Sequence, residues 1–105
     1  MTVASEAAVA RTPATQPLLV FFTSPVSGLC RRVEGFLAQV LQRRRNHGTF
    51  RVVFVDGGER PDLVARFEVA ELPTLVVVEG NAIRARLEQP RGCREIERVL
   101  APWLN

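Results

Sequence analysis

Residues 18–41 read LLVFFTSPVSGLCRRVEGFLAQVL, and this stretch decides the fold. Leu18–Thr23 is a continuous apolar run with β-branched and aromatic members, which is typical of a strand buried on both faces. Ser24–Ser27 then interrupts the run. From Gly28 the apolar residues recur at helical spacing along one stripe, which predicts an amphipathic helix to about Arg45 with Ser27 as its N-cap. A buried strand, a short break and an amphipathic helix together indicate an α/β domain.

The rest of the chain predicts two strands linked by a short helix, then a hairpin strand and a last helix. The expected bounds are Phe50–Val55, Pro61–Phe67, Thr74–Val78, Ala82–Glu88 and Gly92–Leu100, with a hairpin turn at Gly80-Asn81. The order is therefore β-α-β-α-β-β-α. Crossover helices favour parallel pairing with helices on both faces, and the hairpin adds antiparallel pairing. We expect a three-layer sandwich around a mixed sheet.

The last predicted strand has an alternating pattern. Ile83, Ala85 and Leu87 are apolar, and charged residues lie between them. This alternation predicts a half-exposed edge strand, with the three apolar side chains on one face and arginines that discourage pairing with another strand.

Length and composition limit the class of protein. The chain has 105 residues, which suits one domain, and 47% of them are apolar. No apolar stretch is long enough for a membrane span, and the N-terminus lacks the pattern of a secretory signal, so a cytoplasmic protein is the expectation. Residues 1–16 are expected to form a flexible tail, with a short helix allowed at Ser5–Arg11, and residues 17–105 the folded domain.

The basic and metal-ligating residues favour neither a nucleic acid nor a metal as partner. The net charge is +3, and all 14 basic residues are arginine, which is more typical of genome composition than of a phosphate-binding surface. Cys30, Cys93 and His47 are the available soft ligands, too few and too far apart for a structural zinc site or a disulfide framework. His47 is expected to be a helix-end or surface residue. No cofactor is implied.

Two features together resemble the thioredoxin family. One is a strand, a short loop and a helix that begins at the four-residue segment Ser27–Cys30. The other is Leu72-Pro73-Thr74-Leu75, which is similar to the family segment whose proline follows a cis peptide bond. The resemblance covers about residues 17–105. It implies a thioredoxin-like fold and, in active members, thiol–disulfide exchange.

The catalytic positions depart from the family pattern. Where the family has Trp-Cys-Gly-Pro-Cys, this chain has Val26-Ser27-Gly28-Leu29-Cys30. Ser27 replaces the nucleophile, and a hydroxyl forms no disulfide. Phe21 and Phe54 replace a buried carboxylate and its lysine, a consistent pair of losses because removing one alone would leave a buried charge unpaired. So many departures argue against Ser27 being an engineered trap, which would alter a single position.

Two functions remain open from the sequence. The resemblance implies a groove for extended peptides or protein segments, in which the backbone of Leu72 pairs with the ligand as a strand would. The groove residues would be Val26, Ser27, Gly28, Leu29, Leu72 and Pro73. The first hypothesis is a non-catalytic binding module that uses this groove and has an apolar surface there.

The second hypothesis is a monothiol oxidoreductase or redox-responsive protein acting through Cys30. Arg31 and Arg32 would favour its thiolate, and a small thiol would supply the second sulfur. The competing interpretation of Cys30 is a small buried core residue. Cys93 begins the last helix, remote from the motif, so no disulfide with Cys30 is expected and an inert, half-buried cysteine is the simpler interpretation.

Overall fold

The computed structural model describes residues 16–43 and 48–104, and its elements follow the predicted order. The strands are β1 (Leu18–Thr23), β2 (Arg51–Asp56), β3 (Thr74–Glu79) and β4 (Ala82–Glu88), and the helices are α1 (Gly28–Gln42), α2 (Pro61–Arg66) and α3 (Cys93–Leu100). The strands form one sheet in the order β2-β1-β3-β4. β1 pairs with β2 in parallel, and the β1–β3 and β3–β4 pairs are antiparallel. The predicted mixed sheet is confirmed.

The core has one layer on each face of the sheet. Alternate residues of the central strand β1 divide between them, because successive strand side chains point to opposite faces. Leu19 and Phe21 pack with the buried stripe of α1 and with Ile96 and Leu100 of α3. The opposite face carries Leu18, Val20, Phe22, Val53, Val55, Leu63, Phe67, Val69, Val76 and Val78, which form a second buried cluster with α2. The prediction of helices on both faces is therefore confirmed.

Helix α2 starts as its sequence indicates, with Pro61 in the first turn. Beside it, Arg60 donates to both carboxylate oxygens of Asp62, at 3.1 and 3.0 Å. This hydrogen bonding holds the pKa of Asp62 below its usual range. The helix packs Val64 against the core, close to Gly57.

Helix α1 is shorter than predicted. We expected it to reach about Arg45, but it ends at Gln42, and Arg43 already has extended backbone angles, φ −67° and ψ 135°. Among the described residues of this helix, the last stripe residue that packs on the core is Leu41, one residue before the helix ends. Residues 44–47, including His47, lie outside the described residues.

A β-bulge corrects the expected face of Ile83. Val77 pairs with Ala85 and Val78 with Ile83, so Arg84 is the additional residue of β4. Directly opposed side chains share a face, and Ile83 is therefore on the face of Val78 instead of that of Ala85. Ile83 is 49% exposed, whereas Ala85 and Leu87 pack on the α1–α3 core as expected.

The first described residues, Gln16 and Pro17, lie close to the start of β2. Gln16 Nε2 donates to Gly48 O at 3.0 Å, and Arg51 N donates to Pro17 O at 3.0 Å. Residues 1–15 lie outside the described residues, so the tail and its short helix stay a prediction. Within residues 16–43 and 48–104, no helix has the length and apolar character that crossing a membrane requires.

Candidate functional site

The sheet register brings two segments to one edge of the sheet. They are the motif, residues 26–30, and the cis-proline loop, residues 71–73. Phe22, near the end of β1, pairs with Thr74, the first residue of β3. The segment after β1 and the segment before β3 therefore leave the sheet side by side. The Leu72–Pro73 peptide bond in the second segment is cis. Thr74 is fully buried, and its hydroxyl donates to Glu71 O at 2.6 Å.

Ser27 is the N-cap of α1, as its sequence position indicates. Its Oγ accepts from the Cys30 N–H at 3.2 Å, and its carbonyl accepts from the Arg31 N–H at the same distance. The Ser27 N–H in turn donates to Ser24 O, which closes the turn before the helix. The hydroxyl thus satisfies one of the amides that a helix start leaves unpaired.

Cys30 is shut off from solvent. Its exposure is 0%, whereas Arg31 and Arg32 beside it are exposed. Both Cys30 and Cys93 are free thiols. An external thiol or disulfide therefore has no direct approach to the Cys30 sulfur in this conformation.

The motif presents two large apolar side chains to solvent, one on each side of its glycine in the sequence. Val26 is 88% exposed and Leu29 is 41% exposed, and Gly28 between them is exposed as well. Exposed large apolar side chains next to each other mark contact surfaces more often than isolated ones do.

Across the edge, Leu72 contributes its backbone, because its side chain packs toward the core. It lies beside Gly57, where an added Cβ would come within 3.0 Å of Leu72 Cδ1 and 3.4 Å of Val64 Cγ2. Pro73 is buried. All six predicted groove residues lie on the two segments that the register places side by side, but only Val26 and Leu29 offer it large exposed side chains.

Gln89 also belongs to this edge, and our sequence reasoning missed it. Its backbone N–H donates to Pro73 O at 2.8 Å, and its Nε2 donates to Leu72 O at 3.1 Å. The signal lies in the strand register: Thr74 pairs with Glu88, which places residue 89 next to the loop. Counting back from the Gly80-Asn81 turn without the bulge would pair Thr74 with Leu87 instead.

Phe21 and Phe54 form an aromatic pair on the α1 face of the sheet. They are register partners in β1 and β2, and their ring centroids lie 5.6 Å apart with an interplanar angle of 69°. Phe21 is fully buried, and Phe54 also borders a shallow groove of about 320 Å³ between α1 and β2. Edge-to-face phenyl rings form an apolar contact that contains no titratable group.

Cys93 begins α3 and packs against the middle of α1. Its Sγ lies 3.3 Å from Gln39 Oε1 and 3.7 Å from Phe36 O, so the thiol has acceptors within the protein. Among the described residues, no group of three or more His, Cys, Asp or Glu side chains is arranged to hold a metal ion.

Comparison with known proteins decides the family. A family model described as Thioredoxin matches residues 3–102. The chain belongs to the thioredoxin family. Thioredoxin 1 of Nostoc is 31% identical over 65 residues, which cover 62% of this chain and 59% of that protein. The bifunctional thioredoxin reductase/thioredoxin of Mycobacterium leprae is 28% identical over 93 residues, or 86% of this chain and 20% of that protein. This thioredoxin-family chain thus spans less than two thirds of either relative.

Comparison with a solved structure shows the same fold. Trxlp from Edwardsiella tarda superposes with a TM-score of 0.76 at 19% identity, covering 92% of this chain and 96% of that one. At that identity the likeness shows the thioredoxin fold alone. The fold implied by the resemblance of Ser27–Cys30 and Leu72–Leu75 is therefore confirmed.

Proposed function

We propose that this thioredoxin-family chain is a binding module that holds an extended segment of a protein partner, without thiol–disulfide turnover. The segment would lie in the groove of Val26, Ser27, Gly28, Leu29, Leu72 and Pro73. The observation that carries the proposal is the contrast within one motif: the Cys30 sulfur is fully buried while Val26 is 88% exposed. The motif exposes apolar surface that a ligand can contact, and it buries its one sulfur atom.

The electrostatic and hydrogen-bonding features of the motif support the same function. The Ser27 hydroxyl is engaged by the Cys30 amide. Phe21 and Phe54 give Cys30 no carboxylate or ammonium neighbour from the positions that the family uses. A buried thiol without a partner sulfur suits a reducing compartment, so a cytoplasmic location is part of this proposal.

Selection from a displayed library of linear peptides on the immobilised chain tests the binding function. We expect Val26→Asp to weaken binding of the selected peptide by at least about tenfold, and Leu29→Asp to weaken it similarly, because a desolvated carboxylate opposes an apolar contact. Fluorescence polarisation of the labelled peptide measures the change.

Ile83→Asp is the matched control, since Ile83 is also an exposed aliphatic residue, at 49%. It lies on β4, away from the motif, and its substitution should leave peptide affinity unchanged. Equal weakening by all three substitutions, or by none, would exclude the groove as the binding site.

The alternative function is a monothiol redox role through Cys30, and the names of the relatives favour it. Thioredoxin 1 of Nostoc and the Mycobacterium leprae enzyme are both named for thioredoxin. This role needs a sulfur that reacts from the native state. The burial of Cys30 opposes it, because the thiolate must meet an external disulfide or thiol directly.

Thiol labelling separates the two functions. We expect a maleimide to modify half-buried Cys93 faster than Cys30 by at least about tenfold at neutral pH, because Cys30 reacts only through local opening of the fold. Cys93→Ala and Cys30→Ala, each labelled alone and followed by mass spectrometry, assign the two rates. Rapid native labelling of Cys30, together with insulin reduction, would replace the binding module by the monothiol function.

A further inference from the structure

Gln89 lies directly after β4 and against the cis-proline loop. Its Nε2 donates to Leu72 O at 3.1 Å and lies 3.5 Å from Glu71 Oε2, and both contacts are on the exposed surface. Its backbone N–H is bonded to Pro73 O at 2.8 Å, which fixes the base of the side chain. The Gln89 side chain therefore lies along the backbone of residues 71–73.

The Leu72 carbonyl is the acceptor that strand-like pairing with a ligand would use. An extended peptide that adds to a sheet edge donates its backbone N–H groups to such carbonyls. In the structure, the Gln89 amide already donates to this oxygen. A ligand N–H must displace that amide or share the oxygen with it through the second lone pair, and either requirement lowers the affinity of the ligand.

The backbone at position 89 supports a specific role for the side chain. Gln89 has φ 44°, in the left-handed region that Gly and Asn adopt at lower cost than Gln. Gly has no side chain to reach Leu72 O, and the Asn side chain is one methylene shorter. Gln thus occupies a backbone position that does not favour it, and its long amide makes the contact.

We propose that the Gln89 side chain is an internal substitute for the ligand, which occupies the Leu72 carbonyl until an extended peptide displaces it. This inference rests on the proposed binding function. With Gln89 in this role, the groove would favour ligands that have an apolar side chain to contact Val26 and Leu29 and a free backbone N–H to replace the Gln89 amide. A compact apolar surface without such a donor would lose one hydrogen bond and gain none.

The test uses the full chain and the labelled peptide from the library selection described above. Gln89→Asn keeps an amide and suits the positive φ, and Gln89→Glu keeps the length but carries no donor. The carboxylate of Gln89→Glu would also face Glu71, which drives it from the loop. We expect both variants to bind the peptide about three- to tenfold more tightly than the native chain, the range expected for removing one competing neutral hydrogen bond. Gln42→Asn, the same chemical change at the end of α1, should leave the affinity unchanged.

The outcomes distinguish the groove function from the role of Gln89. If Val26→Asp abolishes binding while both Gln89 variants bind no more tightly than the native chain, the groove function stands and the role of Gln89 is overturned. If Val26→Asp and Leu29→Asp leave binding unchanged, the groove function itself fails. If the native chain selects no peptide, the same library is selected on Gln89→Asn. A peptide selected there supports both the groove function and the role of Gln89, and the absence of any selected peptide overturns both.

Discussion

Phe21→Asp will remove about 5 kcal/mol or more of folding free energy, enough to unfold a domain of ordinary stability. Phe21 is fully buried, and its ring packs edge-to-face on Phe54. The substitution loses the burial and packing of the ring, for which Phe→Ala changes cost about 3–5 kcal/mol. It also places a carboxylate in an apolar core without a partner. Urea unfolding followed by circular dichroism measures the loss.

Two further variants separate packing from charge. Phe21→Leu keeps an apolar side chain and should cost about 1–1.5 kcal/mol. Phe21→Asp combined with Phe54→Lys restores the family's charge pair, and we expect it to be more stable than Phe21→Asp alone. A single Asp variant as stable as the native chain would show that this part of the core tolerates charge, and that the two phenylalanines are not a coordinated loss.

Ser27→Cys will give the chain a dithiol motif and measurable insulin reduction, at least about tenfold above the native background. Ser27 Oγ lies 3.2 Å from the Cys30 amide at the start of α1, so a sulfur there would sit one helical turn from the Cys30 thiol. Partial positive charge at a helix N-terminus lowers the pKa of a thiol placed there. Insulin turbidity with dithiothreitol as reductant measures the activity, and thiol counting after oxidation measures the disulfide.

The matched variant is Ser27→Cys combined with Cys30→Ala, which has the nucleophile without the second thiol and should not turn over. Ser27→Ala should be inactive and less stable by about 1 kcal/mol, because the helix loses its cap. A Ser27→Cys variant that forms its disulfide but stays at background would locate the loss of activity in Phe21 and Phe54 instead of the missing sulfur.

The strands and short helices could be predicted from the sequence because each combines a continuous apolar run or a clear periodicity with turn residues at its ends. β1, β4 and the end of α3 lie where the pattern placed them. The predicted end of α1 was wrong because arginine side chains at 43–45 are compatible with a helix locally, whereas most of the stability of a helix in a folded protein comes from packing of its apolar face. Among the described residues of α1, Leu41 is the last that packs on the core.

The candidate site was predictable where it depends on local sequence and unpredictable where it depends on register. Ser27 as the helix cap follows from its position before an apolar stripe. The contact of Gln89 with Leu72 joins residues 17 apart in sequence, and a bulge at Arg84 displaces the register by one residue between them. No periodicity in β4 marks that bulge, so the same pattern also put Ile83 on the wrong face.

The burial of Cys30 has a consequence for how this protein would respond to its surroundings. In a dithiol motif, oxidation joins two sulfurs and alters the surface on which a partner rests. Here the motif has one sulfur, at 0% exposure, under a helix start that Ser27 holds by hydrogen bonding. We therefore expect the affinity of the groove to be the same under reducing and oxidising conditions. Partner binding by this chain would then be independent of the redox state of its surroundings.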